Sequence, residues 1–180
     1  MILLVNTCAE KLHYFEFVRP VEDILRKNGF SFVTKHYSEI SENDLSLADK
    51  VIICGTSLKD NQFLKDIKKF SWLRDFEKPV LGICAGMQLI GVLFGGKLKK
   101  KTEIGFFEEV FDRSFLGLSG KVQVYHLHNN FVDFSALDDF EVFSKGQIPQ
   151  AVKHKKKSIF GVLFHPEVRQ KSLISEFAGL

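Results

Sequence analysis

The sequence predicts an α/β protein: a flavodoxin-like open sheet with a mostly parallel core, helices on both faces, and added antiparallel hairpins. Three observations predict it. The first half alternates short β-rich runs with helical patterns, an order that lays strands side by side with right-handed helical crossovers on both faces. The second half turns to strand-like runs separated by polar turns, the pattern of antiparallel pairing. Between them a cysteine flanked by glycines follows a strand and opens a helix, as happens at the carboxyl edge of such sheets.

Taken in order, residues 2–5 read as a buried strand. Phe17, Val21, Ile24 and Leu25 recur at helical spacing, and Asn28-Gly29 supplies a stop. Residues 30–34 read as the next strand, 38–47 as a polar loop with a short helix, and 51–54 as a strand ending at Gly55. Phe63, Leu64, Ile67, Phe70 and Leu73 form a helical stripe. Residues 79–83 are a fourth strand running directly into Cys84, and 88–94 a helix closed by Gly95-Gly96. Strand-like runs follow at 104–111, 122–128, 140–144, 151–153 and 159–164, then a last helix at 173–177. These later strands are expected as hairpins added to the sheet before the chain returns to it. With no linker rich in Pro, Gly or Ser and no repeat, one domain over residues 1–180 is the simplest division.

Composition narrows the function classes. Hydrophobic residues make up 45% and charged residues 26% of 180 residues, enough to bury a core without covalent staples. A formal net charge of +3 is too small to argue for nucleic acid. Two lysine clusters, Lys97 with Lys99–Lys101 and Lys153 with Lys155–Lys157, read as guarded hairpins or edge strands, with a docking or phosphate role as the alternative. The cysteines Cys8, Cys54 and Cys84 are odd in number and lack CxxC spacing, which argues against a disulfide framework or zinc site and for a reducing compartment. Residues 81–96 are apolar apart from Gln88 but fall short of the roughly 20 needed to span a bilayer. MILLVN lacks the basic start of a signal peptide. A cytoplasmic protein without membrane or nucleic-acid partners is expected.

The chemistry concentrates in Gly82-Ile83-Cys84-Ala85-Gly86. A sharp strand-to-helix turn needs glycine on each side, and exposes its central side chain above the sheet edge. The new helix's N–H groups favour thiolate, and that of Ala85 faces a developing oxyanion. The alternative is a buried structural cysteine at a glycine-rich helix start. Cys8 and Cys54 lack these surroundings and are assigned to the core. Of six histidines, only His165 ends an apolar strand and is followed by Pro166 and Glu167. Residues i and i+2 of an extended segment point the same way, so Glu167 reaches the His165 ring and orients it, as the third member of a triad does. The alternative is a surface His-Glu pair in a turn.

GICAGMQ, FHPEV and the strands between them resemble a class I, triad-type glutamine amidotransferase over essentially the whole chain. KTEIGFFEEV and AVKHKKKSIFGVLFHPEV make it most similar to the separate amidotransferase subunits of archaeal GMP synthases. The corresponding subunits of anthranilate synthase and carbamoyl-phosphate synthetase are similar too. The resemblance implies Cys84 as nucleophile, His165 as general base and acid, and Glu167 as the residue that orients it. It implies Gly55, Thr56 and Ala85 around the oxyanion, and Gln88, Leu127 and Asn129 on the substrate. It implies glutamine as substrate, no metal or organic cofactor, and a separate synthetase subunit, of GMP synthase ATP-pyrophosphatase type, that receives ammonia. Three positions depart from the family. Gly55-Thr56-Ser57 replaces Gly-Gly-Pro or Gly-Pro-Gly. His126-Leu127-His128-Asn129-Asn130 replaces Ser-His-Gly-Asp, with Asn129 expected to keep a left-handed turn where glycine is common. Met87 replaces a frequent His. The Gly55-Thr56-Ser57 loop and Asn129 keep open a non-catalytic regulatory module on the same fold, and the recurrence of elbow cysteines on related folds keeps open a γ-glutamyl peptidase-like Cys hydrolase.

Overall fold

The structure, a computed structural model, describes residues 1–180. Its main sheet has seven strands: β1 (Ile2–Asn6), β2 (Phe32–His36), β3 (Lys50–Ile53), β4 (Val80–Ile83), β7 (Phe140–Val142), β9 (Ala151–His154) and β10 (Ile159–Val162). Their spatial order is β2-β1-β3-β4-β10-β9-β7. The first five run parallel, and β9 and β7 add antiparallel at one edge. The order 2-1-3-4 is the flavodoxin-like one, with its reversal between β1 and β3.

Alternation along the strands sorts the core into two layers. Ile2 and Leu4 of β1, Ile52 of β3, Leu81 and Ile83 of β4, and Phe160 and Val162 of β10 face one side. There they meet Val21, Ile24 and Leu25 of helix α2 (Arg19–Lys27) and Leu173, Ile174 and Phe177 of helix α6 (Ser172–Gly179). Leu3, Val5, Val51, Ile53, Val80 and Ile159 face the other side, against Leu89, Ile90 and Leu93 of helix α5 (Ala85–Leu93) and Phe70 and Leu73. The predicted stripe at 63–73 divides into a single turn, α4 (Gln62–Lys65), and a 3₁₀ segment, Ile67–Arg74. The pattern expected as one helix around Phe17–Leu25 also divides, into α1 (His13–Phe17) and α2, because Pro20 stands in the first turn of α2 and has no N–H to continue the helix. The polar loop carries α3 (Glu42–Leu47), whose Ser41 and Asp44 form a capping box.

The second half departs from expectation in one respect. The runs at 104–111 and 122–128 are parts of two long strands, β5 (Lys97–Phe115) and β6 (Leu118–Asp133). With β8 (Ser144–Lys145) these build a separate sheet in the order β6-β5-β8, rather than extending the main one. The expected strand 140–144 is shared between the sheets, as β7 and β8. The polar break at 112–121 closes as a two-residue turn, Leu116-Gly117, with both residues at positive φ and Phe115 paired to Leu118. Of the lysines in the first cluster, Lys97, Lys99, Lys100 and Lys101 are exposed on β5, and Lys99 pairs with Asp133 across the ladder at 2.7 Å. No helix is long and apolar enough to cross a membrane. The apolar stretch 81–96 is β4, the turn at Cys84 and α5.

Helix α5 lies so close to the sheet that its glycines are sterically required. A Cβ on Gly86 would stand 2.4 Å from the Ile53 carbonyl oxygen, and one on Gly82 would stand 2.5 Å from the Gly86 carbonyl carbon. Backbone atoms cannot rotate away, so Gly86→Ala is expected to cost at least about 2 kcal/mol, lowering Tm by about 4–8 °C in a calorimetric scan.

Candidate active site

Three parallel strands end at one place. β3 leads to Gly55, β4 to Cys84 and β10 to His165, all at the carboxyl edge where open α/β sheets bind ligands. Cys84 occupies φ 47°, ψ −98°, a region strained for a residue with a side chain. Its N–H donates to the Val162 carbonyl at 2.7 Å, which locks the elbow to β10. The thiol donates to the Leu127 carbonyl at 3.6 Å, and the Ala85 N–H opens α5 as one of the groups without an intrahelical acceptor.

His165 is 1% exposed. Its backbone N–H donates to the Tyr125 carbonyl at 2.8 Å, and the Phe17 ring lies 5.5 Å away on one side. Nδ1 lies 2.6 Å from Glu167 Oε1, and Glu167 is itself 3% exposed. Nε2 is buried without a hydrogen-bond partner. Burial disfavours the imidazolium, yet the Glu167 carboxylate and the adjacent Cys84 outweigh it and hold the His165 pKa well above its ordinary value. Gly55 sits between the His165 and Cys84 side chains: a Cβ there would stand 2.7 Å from His165 Cε1 and 3.4 Å from Cys84 Cβ.

Thr7 Oγ1 donates to the carbonyls of Cys54 and Gly55 at 3.0 and 3.2 Å, and Cys8 Sγ approaches the Gly55 carbonyl at 3.8 Å. With that carbonyl held toward β1, the trans peptide directs the Thr56 N–H to the opposite side, where it has no backbone acceptor. Thr56 is fixed by Oγ1 donating to Asp60 Oδ2 at 2.8 Å. A recess lined by Thr56, Cys84, Ala85, Gln88, Leu127 and Asn129 opens beside the thiol, with a cavity volume of about 20 Å³, room for about one water.

A family model of class I glutamine amidotransferases matches residues 13–177. The chain belongs to that family. This amidotransferase is 34% identical over 106 residues to a subunit of the glutamine-hydrolysing GMP synthase of Methanobrevibacter smithii, covering 54% of each chain. It is 38% identical over 119 residues to the corresponding GMP synthase subunit of Pyrococcus abyssi, covering 59% of this chain and 62% of that one. The matched stretches thus span a little over half the length of these relatives. Its fold matches a Thermoplasma acidophilum protein provisionally assigned as the same GMP synthase subunit, with TM-score 0.86 at 24% identity over 99% of this chain and 92% of the other. It also matches a Thermotoga maritima glutamine amidotransferase, with TM-score 0.72 at 21% identity over 95% and 77%.

Every residue expected as catalytic, oxyanion-binding or substrate-binding lies in or beside this one site. Gln88 lines the recess one turn after Cys84, its backbone N–H on the Cys84 carbonyl, while its side-chain Nε2 donates to the Asn130 carbonyl at 2.9 Å. Leu127 contributes the carbonyl that accepts the thiol. Asn129 differs from expectation: it lies inside β6 without positive φ, so no left-handed turn forms there. Its side chain instead straps the site, with Nδ2 donating to the Leu58 carbonyl at 3.2 Å and Oδ1 accepting from Thr102 Oγ1 at 3.0 Å. Cys8 and Cys54 are buried as expected, and burial pushes the Cys8 thiol up to about 11. Thr7, Cys8, Phe17 and Tyr125 also touch the site; the sequence alone gives Thr7 and Tyr125 no role and places Cys8 and Phe17 only in the core and a helical stripe. The first two directly follow β1, beside the strand-order reversal, which is the available signal. The contacts of Phe17 and Tyr125 leave no local signature.

Proposed function

We propose that this amidotransferase hydrolyses glutamine to glutamate and ammonia, delivering the ammonia to a separate synthetase subunit of GMP synthase type. The observation that carries the reading is the convergence of the strained Cys84 elbow with the buried His165–Glu167 pair around Gly55. The relatives named as GMP synthase subunits support the choice of partner.

In this reading Cys84 rotates from the Leu127 carbonyl toward His165 Nε2, gives up its proton and attacks the amide carbon of glutamine. Charge building on the carbonyl oxygen is met by the N–H groups of Ala85 and Thr56. Protonated His165, stabilised by Glu167, passes its proton to the departing nitrogen, leaving a γ-glutamyl thioester and ammonia. His165 then takes a proton from water as it attacks the thioester, freeing glutamate. These residues complete the cycle without a metal or organic cofactor. Gln88, Leu127 and Asn129 are assigned to the amino-acid end of the substrate.

The strap from Asn129 to Leu58 borders the recess beside Cys84, and in this reading it parts as glutamine enters. The proposed role of the synthetase is to favour that open form. The test is reconstitution. GMP formation by the synthetase subunit should become glutamine-dependent only when this chain is added, and glutamate release should rise at least tenfold with the synthetase present. Absence of glutamine-dependent GMP formation contradicts the partner assignment. Absence of glutamate release under every condition contradicts the hydrolysis.

Gly55 offers a separate check. Because His165 is pinned by Glu167, the methyl of Gly55→Ala displaces the ring rather than finding free space. The variant is expected to lose about 10²-fold or more in kcat, the scale of a 1 Å misplacement, with kcat measured by glutamate release and folding followed by circular dichroism.

A further inference from the structure

Next to the proposed catalytic recess, on the β5–β6 sheet, lies a cluster the proposed glutamine chemistry does not use. Glu103 of β5 pairs directly opposite His128 of β6, and His126 stands two residues earlier on the same face of β6. One ligand atom from each of Glu103, His126 and His128 falls within 4.8 Å of the others. Both imidazoles are essentially inaccessible, at 0% and 1% exposure. His126 Nδ1 and His128 Nε2 each lie 3.0 Å from Glu103 Oε2. His128 nevertheless has no well-directed hydrogen bond on either ring nitrogen, nor has His126 on Nε2. The Gln150 amide reaches the same carboxylate through Nε2 at 3.0 Å, while its Oε1 is buried without a partner. Burying that many orphaned polar atoms in one place is costly unless something satisfies them.

We propose that Glu103, His126 and His128 form a divalent cation site of the zinc class that fixes strand β6 beside the active site. Ligand bonds of 2.0–2.1 Å around a tetrahedral ion put neighbouring donor atoms about 3.3 Å apart, close to the 3.0 Å separations here. Two imidazoles and one carboxylate are a donor set suited to zinc and its neighbours in the first transition row. The surroundings supply the outer support such sites carry. His126 Nε2, the nitrogen turned away from Glu103, lies 3.3 Å from Glu109 Oε1, and the ring stacks on Phe107 at 4.5 Å. The Glu103 and Glu109 side chains retain 16% and 14% exposure, which gives an ion a way in. Between the two histidines sits Leu127, whose carbonyl receives the Cys84 thiol, and Asn129 follows. An ion here therefore holds the strand that supplies one wall of the recess, and takes no part in the proposed chemistry.

The test uses tag-free Cys84→Ala protein, which removes the competing thiol. Zinc and cobalt are titrated as the chloride salts near neutral pH. One equivalent of zinc is expected to bind, raising Tm by about 5 °C or more at a hundredfold excess over Kd. Cobalt should give visible d–d bands of a four-coordinate nitrogen and oxygen site without thiolate charge transfer. His126→Gln and Glu103→Gln, in the same background, should each lower affinity at least 100-fold. If Glu103→Gln does not fold, His126→Gln decides alone, since its metal-free Tm can be compared directly with the parent. Failure of the parent to bind zinc below about 100 µM overturns the site, as does undiminished binding by a folded variant.

Discussion

Replacing Cys84 by alanine is expected to lower glutamine hydrolysis by at least about 10⁴-fold without loss of the fold. The proposed nucleophile has no substitute nearby. Cys8, whose thiol pKa is pushed up by burial to about 11, and Cys54, with no accessible surface, both lie off the elbow, while Cys84 is itself only 3% exposed rather than standing free above the sheet edge as expected. The elbow itself tolerates the change, since its geometry is set by Gly82, Gly86 and the Cys84 N–H bond to the Val162 carbonyl rather than by the sulfur. Relieving a strained backbone stabilises a protein where the new residue accepts that conformation. Cys84→Gly, equally inactive, should therefore be no less stable than the parent in urea denaturation. A catalytic role predicts this pairing of lost activity and kept stability, whereas a core cysteine predicts the reverse.

Glu167→Gln is the second large effect, and it has a pH signature. Removing a carboxylate that orients a catalytic imidazole costs about 10⁴-fold in kcat in a comparable triad, and the same order is expected here in partner-stimulated glutamate release. Stability should fall as well, because the 2.6 Å pair is almost wholly buried and breaking such a pair costs about 3–5 kcal/mol. The sign with pH follows from linkage. In the parent, Glu167 and Cys84 raise the folded His165 pKa above its unfolded value despite burial. The folded protein then binds the proton more tightly than the unfolded chain. The resulting stability is fully present below the unfolded histidine pKa of about 6.5, and is lost as pH rises through the elevated folded value. The gap between parent and variant should thus be widest at mildly acidic pH and narrow in alkali, measured as the urea midpoint across pH. A gap that widens toward alkaline pH contradicts an imidazolium–carboxylate pair.

Much of this site is legible in the sequence because its determinants are local. Gly82 and Gly86 flank Cys84 within one pentapeptide, and a Cβ on either would meet backbone atoms at 2.5 and 2.4 Å. Glu167 follows His165 by two residues, in a turn closed by the Val168 N–H on the His165 carbonyl rather than on the extended segment expected, so their contact still needs no knowledge of topology. The parallel core is equally readable, since β1, β3 and β4 are short, largely apolar runs with helical patterns between them. The long hairpin is not. Gly105 and Gly120 interrupt the apolar pattern of β5 and β6, yet both lie inside a ladder that continues across two register shifts. Register is set by cross-strand pairing and cannot be counted off one strand. The cluster of Glu103, His126 and His128 is hidden for the same reason, because only the pairing of β5 with β6 brings position 103 opposite position 128. Asn129 reads as a turn residue by analogy with glycine, but the side chain that glycine lacks is what ties it to Leu58.

The proposed nucleophile is tested most directly by treating this chain, in the presence of the proposed synthetase partner, with a chloroketone analogue of glutamine and mapping the adduct by mass spectrometry. The account predicts a single adduct on Cys84, suppressed by excess glutamine and at least 100-fold slower to form in His165→Ala. An unmodified Cys84, or labelling that falls instead on Cys8 or Cys54, would contradict it.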